Sequence, residues 1–278
     1  MTAHSPARAK PAAVASEPPV LRETIGNIAI LTLNRPQARN SLSEAMLAGL
    51  SHELDGLAAD KRIRAVVLAA HGAAFSAGHD LKELTAHRAD PDGGPGYTRH
   101  IMERCSALML SVLRLPQPVI AAVEATATAA GCQLVATCDL AVASSTAKFC
   151  TPGVHIGLFC STPMVALSRN VARKHAMEML LTGDMISAQD AYRIGLVNRV
   201  VEAGSAREEA LNLARRIAAN SAAAVKFGKE AFYQQLEMGV ADAYAHATEV
   251  MVKNMMARDA EEGIAAFVEK RQPTWEED

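Results

Sequence analysis

The strongest constraint on the fold is an apolar strand that ends in small residues and turns directly into a helix. Residues Val119–Val123 form an unbroken apolar run, and Ala129, Ala130 and Gly131 follow after a short connection. Residues 132–136 then continue as a short, mostly apolar helix. The first turn of a helix leaves main-chain N–H groups without partners, and the helix dipole adds partial positive charge there. Such a turn either stabilises an oxygen that gains negative charge or simply allows close packing of strand and helix.

A second turn of the same kind occurs earlier in the chain. Residues 65–70 are apolar and predict a strand, and residues 74–84 read AFSAGHDLKEL, with a helix expected after Gly78 and His79. Each turn can offer one unpaired N–H group. Two such groups are what an oxyanion hole for a thioester enolate would use.

The order of these motifs resembles that of a known family. FSAGHDLKEL at 75–84 is followed by ATAAGCQLVATCDLAVAS at 127–144, and LNRPQARNSLS at 33–43 precedes both. This ordered set resembles the crotonase superfamily of enoyl-CoA hydratases and isomerases over roughly residues 25–275. The segments GLFCSTP and AAFVEKRQPTW favour one branch of it. The resemblance implies a spiral of repeated ββα units and a C-terminal helical region that assembles subunits into trimers or dimers of trimers.

Three regions are predicted along the chain. Residues 1–20 contain four prolines and a single acid, Glu17, and are expected to be a disordered N-terminal tail. Residues 21–204 are expected to form an α/β core with the acyl-CoA site, because predicted strands and helices alternate there. Residues 205–278 are predicted to be helical. Their apolar positions either cover their own sheet or, as we expect, are buried between subunits.

Composition excludes several function classes. The formal net charge of −2 over 278 residues provides no basic field for nucleic acid. No apolar run approaches the roughly 18–20 residues of a membrane span, so we expect no membrane partner. Five cysteines occur without a CxxC pair, which predicts buried thiols rather than disulfides or a metal site. Without a secretory signal the chain is predicted to be cytoplasmic, and its acid-poor N-terminus leaves the mitochondrial matrix as the alternative.

The resemblance also implies roles for individual residues. The main-chain N–H groups of His79 and Ala130 occupy the positions of the oxyanion donors. Gln133 and Gly153 occupy the positions of the two glutamates with which hydratases of the family move the protons of water. Coenzyme A is expected as part of an acyl-CoA substrate, with no metal and no tightly bound cofactor. The positions implied in coenzyme A binding are Ala38, Asp80, Leu81, Lys82 and Lys270.

Neither glutamate position carries a carboxylate. A glutamine amide can orient water but has no titratable proton near neutral pH, and glycine has no side chain. Losing one general acid/base group costs about 10²–10⁴ in rate, so we expect an acyl-CoA site with weak hydratase activity. Two alternatives remain open. One is a non-catalytic acyl-CoA binder or regulator; the other is thioester hydrolysis by a water on Gln133 or by Cys150 or Cys160 beside His155.

Overall fold

The structure is a computed structural model that describes residues 17–275. Most of the predicted N-terminal tail, residues 1–16, lies outside the described residues. The first described element begins at Val20, which is buried and pairs with Leu33.

Ten strands within the described residues form two sheets: β1 (Val20–Ile25), β2 (Ile28–Leu33), β3 (Ala65–Ala70), β4 (Ala74–Ser76), β5 (Val119–Val123), β6 (Thr126–Thr128), β7 (Leu140–Ser144), β8 (Lys148–Cys150), β9 (Ile186–Ser187) and β10 (Arg199–Val201). The larger sheet has the order β1-β2-β3-β5-β7-β10 and the smaller one the order β4-β6-β8-β9. The pairings are parallel apart from β1 with β2 and β8 with β9.

The same residues form eleven α-helices: α1 (Glu44–Ala59), α2 (Leu81–Ala86), α3 (Pro95–Arg114), α4 (Ala130–Thr137), α5 (Pro163–Asn170), α6 (Arg173–Thr182), α7 (Ala188–Arg193), α8 (Ala206–Ala218), α9 (Ala222–Gln235), α10 (Val240–Met255) and α11 (Arg258–Glu269). Three short 3-10 helices lie at Pro36–Ala38, His87–Ala89 and Pro152–Ile156. Three times the chain passes from a strand of the larger sheet to a strand of the smaller sheet and then into a helix: β3-β4-α2, β5-β6-α4 and β7-β8-α5. This is the spiral of ββα units that the resemblance implies.

The larger sheet is covered on both faces. Successive residues of β2 point to opposite faces, so that Ala29 and Leu31 join a core with the helices α1, α3 and α4, while Ile28 and Ile30 join a second core with α8. Parallel strands buried in this way need apolar residues at nearly every position. This explains the continuous apolar runs that mark β3 and β5 in the sequence.

Two predicted helix boundaries are wrong. The motif Ser41-x-x-Glu44 predicts a capping box with Ser41 as the N-cap, but the N-cap of α1 is Ser43, whose hydroxyl accepts a hydrogen bond from the Met46 N–H. The many small and apolar residues at 222–257 predict a single long helix over that range. The structure has two helices there, because Gly239 adopts an extended conformation before α10.

The run DPDGGPG at 90–96 predicts a flexible loop over residues 87–96, but local hydrogen bonds order this segment. The Asp92 carboxylate accepts hydrogen bonds from the N–H groups of Gly94 (2.8 Å) and Gly96 (2.9 Å). The sequence predicts the next helix over residues 101–115, whereas α3 begins six residues earlier, at Pro95. Proline at the first helical position is favoured because its missing N–H would have no partner there.

Candidate functional site

The two small-residue turns that the sequence predicts lie against each other. A Cβ atom added to Gly131 would lie 2.3 Å from the main-chain oxygen of Ser76. A Cβ atom added to Gly78, whose φ is +86°, would lie 3.2 Å from the main-chain nitrogen of Ala130. Side chains cannot occupy such gaps, so glycine at both positions allows the two main chains to approach this closely.

The residue before α4 is held in an unusual conformation. Ala129 has φ 50° and ψ −120°, a region that residues other than glycine rarely adopt. Its N–H donates to the Cys150 carbonyl oxygen (3.0 Å), and its carbonyl oxygen accepts from the Gln133 N–H (3.0 Å). Strain of this kind costs about 1–3 kcal/mol and is most often found at functional sites.

The amides of His79 and Ala130 remain unpaired in the described part of the chain. Other N–H groups nearby are hydrogen-bonded: that of Gly78 donates to the Ser76 hydroxyl (3.3 Å), and that of Gln133 donates to the Ala129 carbonyl oxygen (3.0 Å). Neither His79 nor Ala130 donates its main-chain N–H to any described residue. Two unpaired donors on adjacent turns can stabilise a negatively charged oxygen.

Gln133 lies on the same helix, one turn after Ala130. Gln133 is only 5% exposed. Its side-chain oxygen, Oε1, is enclosed and has no hydrogen-bond partner among the described residues. An enclosed acceptor without a partner is costly, so this oxygen is a polar atom that the described residues leave unsatisfied.

Gly153 has no room for a side chain. A Cβ atom added there would lie 2.8 Å from the Leu158 carbonyl oxygen and 2.9 Å from the Cys160 sulfur. The Leu158 N–H also donates to the Gly153 carbonyl oxygen (2.9 Å), which holds the two segments together. The position at which hydratases carry their second glutamate, by resemblance, is therefore closed by the protein's own chain.

The two ring nitrogens of His79 are enclosed as well, although the residue as a whole is partly exposed. Neither imidazole nitrogen is accessible or makes a hydrogen bond to a described residue. Burial lowers the pKa of the imidazole, and a weaker interaction with the main chain of Leu42 acts in the opposite direction. The ring is therefore neutral at pH 7, with one nitrogen as a donor and the other as an acceptor.

Hydrogen bonds bring most of the positions implied in coenzyme A binding together. The segment that follows Ala38 is joined to the turn before α2 by one hydrogen bond, in which the Ala77 N–H donates to the Arg39 carbonyl oxygen (3.0 Å). The Asp80 carboxylate caps α2 by accepting the Lys82 N–H (3.1 Å). Lys82 and the preceding residue Leu81 are exposed on the first turn of this helix.

Lys270 is not among the residues that these hydrogen bonds bring together. It caps the C-terminal end of α11, a helix that packs against α9 and α10. Its side chain is exposed.

Comparison with known proteins decides the family. The model of the enoyl-CoA hydratase/isomerase family matches residues 23–278. The chain belongs to the enoyl-CoA hydratase/isomerase family. It is 45% identical to human "Enoyl-CoA hydratase domain-containing protein 3, mitochondrial", over 94% of this chain and 84% of that protein. This confirms the resemblance to the crotonase superfamily.

Two solved structures of the family confirm the fold. The crystal structure of an enoyl-CoA hydratase from Mycobacterium smegmatis is 53% identical and superposes with a TM-score of 0.89, over 93% of this chain and 99% of that chain. The crystal structure of the human domain-containing protein 3 is 45% identical and superposes with a TM-score of 0.88, over 92% and 100% of the respective chains.

The cysteines of this family member are buried free thiols, as predicted: Cys105, Cys132, Cys138, Cys150 and Cys160. Burial raises the pKa of Cys150 to about 11, and it also raises the pKa of Cys160. His155, which could have activated a thiol, instead has its Nε2 atom 2.7 Å from the Thr182 carbonyl oxygen. Thiols that stay protonated near neutral pH are poor nucleophiles, so the geometry does not favour thioester hydrolysis by cysteine.

The sequence analysis missed one residue that positions the site. Asn40 is fully buried with φ 50°, and its Nδ2 donates to the carbonyl oxygens of His71 (2.8 Å) and Ala74 (2.9 Å). Its Oδ1 accepts the N–H of Arg35 (2.8 Å). Asn40 thus ties the segment before α1 to the start of β4, the strand that leads to His79. The available signal was that asparagine tolerates the left-handed region better than most residues.

Residues 17–275 contain neither a metal-ligand cluster nor a membrane-spanning helix. No group of three or more His, Cys, Asp and Glu side chains could hold a metal ion there. Within the same range no helix has the length and apolar character needed to cross a membrane.

Proposed function

We propose that the protein binds acyl-CoA thioesters and that the main-chain N–H groups of His79 and Ala130 form an oxyanion hole for the thioester carbonyl. The observation that carries this proposal is the pair of unpaired amides on two turns in direct contact. Backbone donors that are fixed in advance stabilise an enolate without any rearrangement during the reaction. Membership of the enoyl-CoA hydratase/isomerase family supports the choice of acyl-CoA as the ligand.

The same proposal includes weak hydratase activity. Gln133 offers an amide in place of one carboxylate, and Gly153 is enclosed by Leu158 and Cys160. Water can then be positioned but not deprotonated by a carboxylate. A second candidate function, acyl-CoA binding without turnover, is favoured by the closed space at Gly153.

Coenzyme A is proposed to bind along the first turn of α2. Asp80, Leu81 and Lys82 lie there, and the segment with Ala38 is hydrogen-bonded next to it. An exposed lysine near a polyphosphate makes electrostatic sense. Lys270 remains a prediction from the resemblance.

Self-association into a homotrimer or a dimer of trimers is proposed for the C-terminal helices. The helices α9 and α10 bury no residue within the described chain. Instead α10, the residue that follows it and α11 expose large apolar side chains: Val240, Tyr244, Met256, Phe267 and Val268 are each more than 70% exposed. Apolar faces of this extent on several helices are typical of protein–protein interfaces.

The compartment also remains a proposal. The sequence alone predicted the cytoplasm, with the mitochondrial matrix as the alternative. The vertebrate relatives carry the word mitochondrial in their names, which favours the alternative.

Calorimetry and steady-state kinetics with crotonyl-CoA test the proposal. We expect crotonyl-CoA to bind and to be hydrated at least about 10²-fold more slowly than by a relative with two glutamates. Lys82→Glu should weaken binding by about tenfold, whereas Lys61→Glu, the same charge change at an exposed loop residue, should not. A steady-state rate of hydration equal to that of such a relative, and unaffected by Gln133→Ala, would contradict the proposal of weak hydratase activity.

A further inference from the structure

The last described residues turn back along α11 instead of leading away from it. This segment, residues 270–275, is called the C-terminal strap below. Lys270 has φ 56°, and the Arg271 N–H donates to the Ala266 carbonyl oxygen (3.0 Å), which reverses the direction of the chain. The left-handed conformation is unfavourable for a lysine, so other contacts must hold the reversed segment in place.

One carboxylate of α11 fixes most of the strap. The Glu262 side chain accepts hydrogen bonds from Arg271 Nη1 (2.6 Å), Arg271 Nη2 (2.8 Å) and the Thr274 N–H (2.8 Å). These bonds, above all those from Arg271, lower the pKa of Glu262 to about 2, so its carboxylate stays charged near neutral pH. Isolated surface ion pairs contribute little to stability, but a bidentate pair with a further hydrogen bond fixes a definite geometry.

Trp275 attaches the strap to the junction between α8 and α9. Its indole N–H donates to the Ala219 carbonyl oxygen (2.8 Å), and Arg64, next to β3, donates through Nη2 to the adjacent Asn220 carbonyl oxygen (3.2 Å). The indole ring lies over Gly263 of α11, where an added Cβ atom would lie 3.2 Å from Cη2 and 3.3 Å from Cζ3 of Trp275. Glycine weakens the interior of a helix, and the close approach of the ring gives a physical reason for it here.

The helix α11 that the strap holds has almost no buried surface of its own. Ala266 is its single buried residue, whereas Phe267 and Val268 are among the most exposed apolar side chains of the described residues. It packs against α9 and α10, which bury no residue within the described chain. Few buried apolar contacts and hydrogen bonds exposed to solvent are the features of a segment that opens locally.

We infer that the C-terminal strap opens while the core stays folded, and that its closure prepares α11 for association with a second copy of the chain. The second part rests on the proposed self-association. A face whose orientation is fixed before binding loses less conformational entropy when a partner binds to it. The closed strap fixes the orientation of Phe267 and Val268 in this way. Association in turn stabilises the closed strap, because a partner that binds one state draws the equilibrium towards that state.

The chain contains its own probe for this opening. Trp275 is the single tryptophan of the 278 residues, so tryptophan fluorescence reports on the strap alone. When the strap opens, the indole ring leaves Gly263 and Ala219 and enters water, which shifts its emission to longer wavelength. Far-ultraviolet circular dichroism reports on all helices, most of which lie outside the strap and α11. The two signals therefore separate opening of the strap from unfolding of the core.

Urea titration of the full-length protein at a low and a high protein concentration, followed by both signals, tests the inference. We expect the emission of Trp275 to shift at a lower urea concentration than the loss of circular dichroism. The midpoint of the fluorescence transition should rise with protein concentration, because association stabilises the closed strap. Coincident transitions at both concentrations would overturn separate opening of the strap. A fluorescence midpoint that did not depend on concentration, in a protein that sedimentation shows to associate, would overturn the link to association.

A conservative variant tests the contacts themselves. Glu262→Gln keeps the size of the side chain and removes the charge that holds Arg271. It should lower the midpoint of the fluorescence transition and weaken association, measured by sedimentation equilibrium, by about tenfold or more. Glu208→Gln is the matched control, because it removes an exposed carboxylate 2.8 Å from Arg215 on α8 and should change neither quantity.

The outcomes separate this inference from the proposal on which it rests. Association of Glu262→Gln as tight as that of the original protein would overturn the role of the strap and leave self-association intact. A protein that sediments as a monomer at every concentration would refute self-association. The comparison of fluorescence with circular dichroism would then still decide whether the strap opens on its own.

Discussion

Restoring a side chain at position 153 should destabilise the protein, and the size of the loss follows from the local geometry. Gly153→Ala places a Cβ atom 2.8 Å from the Leu158 carbonyl oxygen, 2.9 Å from the Cys160 sulfur and 3.3 Å from the Cys160 nitrogen. Two of these three neighbours are main-chain atoms. They cannot rotate away, and the hydrogen bond from Leu158 N–H to the Gly153 carbonyl oxygen resists separation of the segments.

The expected magnitude combines two opposing contributions. Overpacking costs about 1–3 kcal/mol, whereas replacing glycine by alanine gains about 0.4–1 kcal/mol by restricting the unfolded chain. The net loss is about 1–2 kcal/mol, which lowers Tm by about 2–8 °C in a chain of this size. Thermal unfolding followed by circular dichroism measures this shift.

A matched control and a functional assay complete the test. Gly56→Ala, in the exposed face of α1, meets only the Arg22 guanidinium at 3.6 Å and should stabilise the protein by about 1 kcal/mol. Gln133→Glu combined with Gly153→Glu should remain a poor crotonyl-CoA hydratase, because the second carboxylate cannot enter its place. The reasoning is refuted if Gly153→Ala unfolds at or above the original temperature and the double variant gains about 10²-fold or more in rate.

Two other perturbations test buried groups elsewhere in the chain. Lys229→Met should lower the free energy of unfolding, measured by urea denaturation, by about 3–5 kcal/mol. The Lys229 ammonium donates to Asp139 Oδ2 (2.7 Å), and its removal leaves a mostly buried carboxylate without its counter-ion. A loss below about 1 kcal/mol would contradict this. Burial lowers the pKa of His79 in the folded protein from its ordinary value of 6.5. As the pH drops below about 6.5, the unfolded chain therefore binds the proton before the folded protein does. The free energy of unfolding should then fall by at most about 1.4 kcal/mol per pH unit until the pKa of the folded state is passed. Urea denaturation between pH 7.5 and 5 should show a smaller decrease in His79→Phe, and identical pH profiles would count against the enclosed neutral imidazole.

The larger sheet and its helices could be predicted because burial leaves a strong pattern. The strands β3 and β5 lie where the continuous apolar runs indicated, since both faces of these strands are covered. The smaller sheet was missed. Its strands have only two or three residues, too few for a period of two to be recognised.

The contact between the two turns could be predicted only in part. Small residues after two apolar runs indicated where main-chain N–H groups become available, but not that Gly78 and Gly131 bring these turns together. The closed space at Gly153 could not be predicted at all. It depends on a main-chain oxygen and a sulfur that lie five and seven residues further along the chain, in a loop without a repeating pattern.

The two departures from the hydratase pattern make physical sense as a pair. If only Gln133 were replaced by glutamate, a carboxylate would lie in a position that is 5% exposed. Desolvation would raise the pKa of that carboxyl group. By the resemblance, a hydratase carries its second acid/base group at position 153, and Leu158 and Cys160 leave no room for a side chain there. Since position 153 is closed, an uncharged amide at 133 avoids the cost of a buried, unpaired carboxylate.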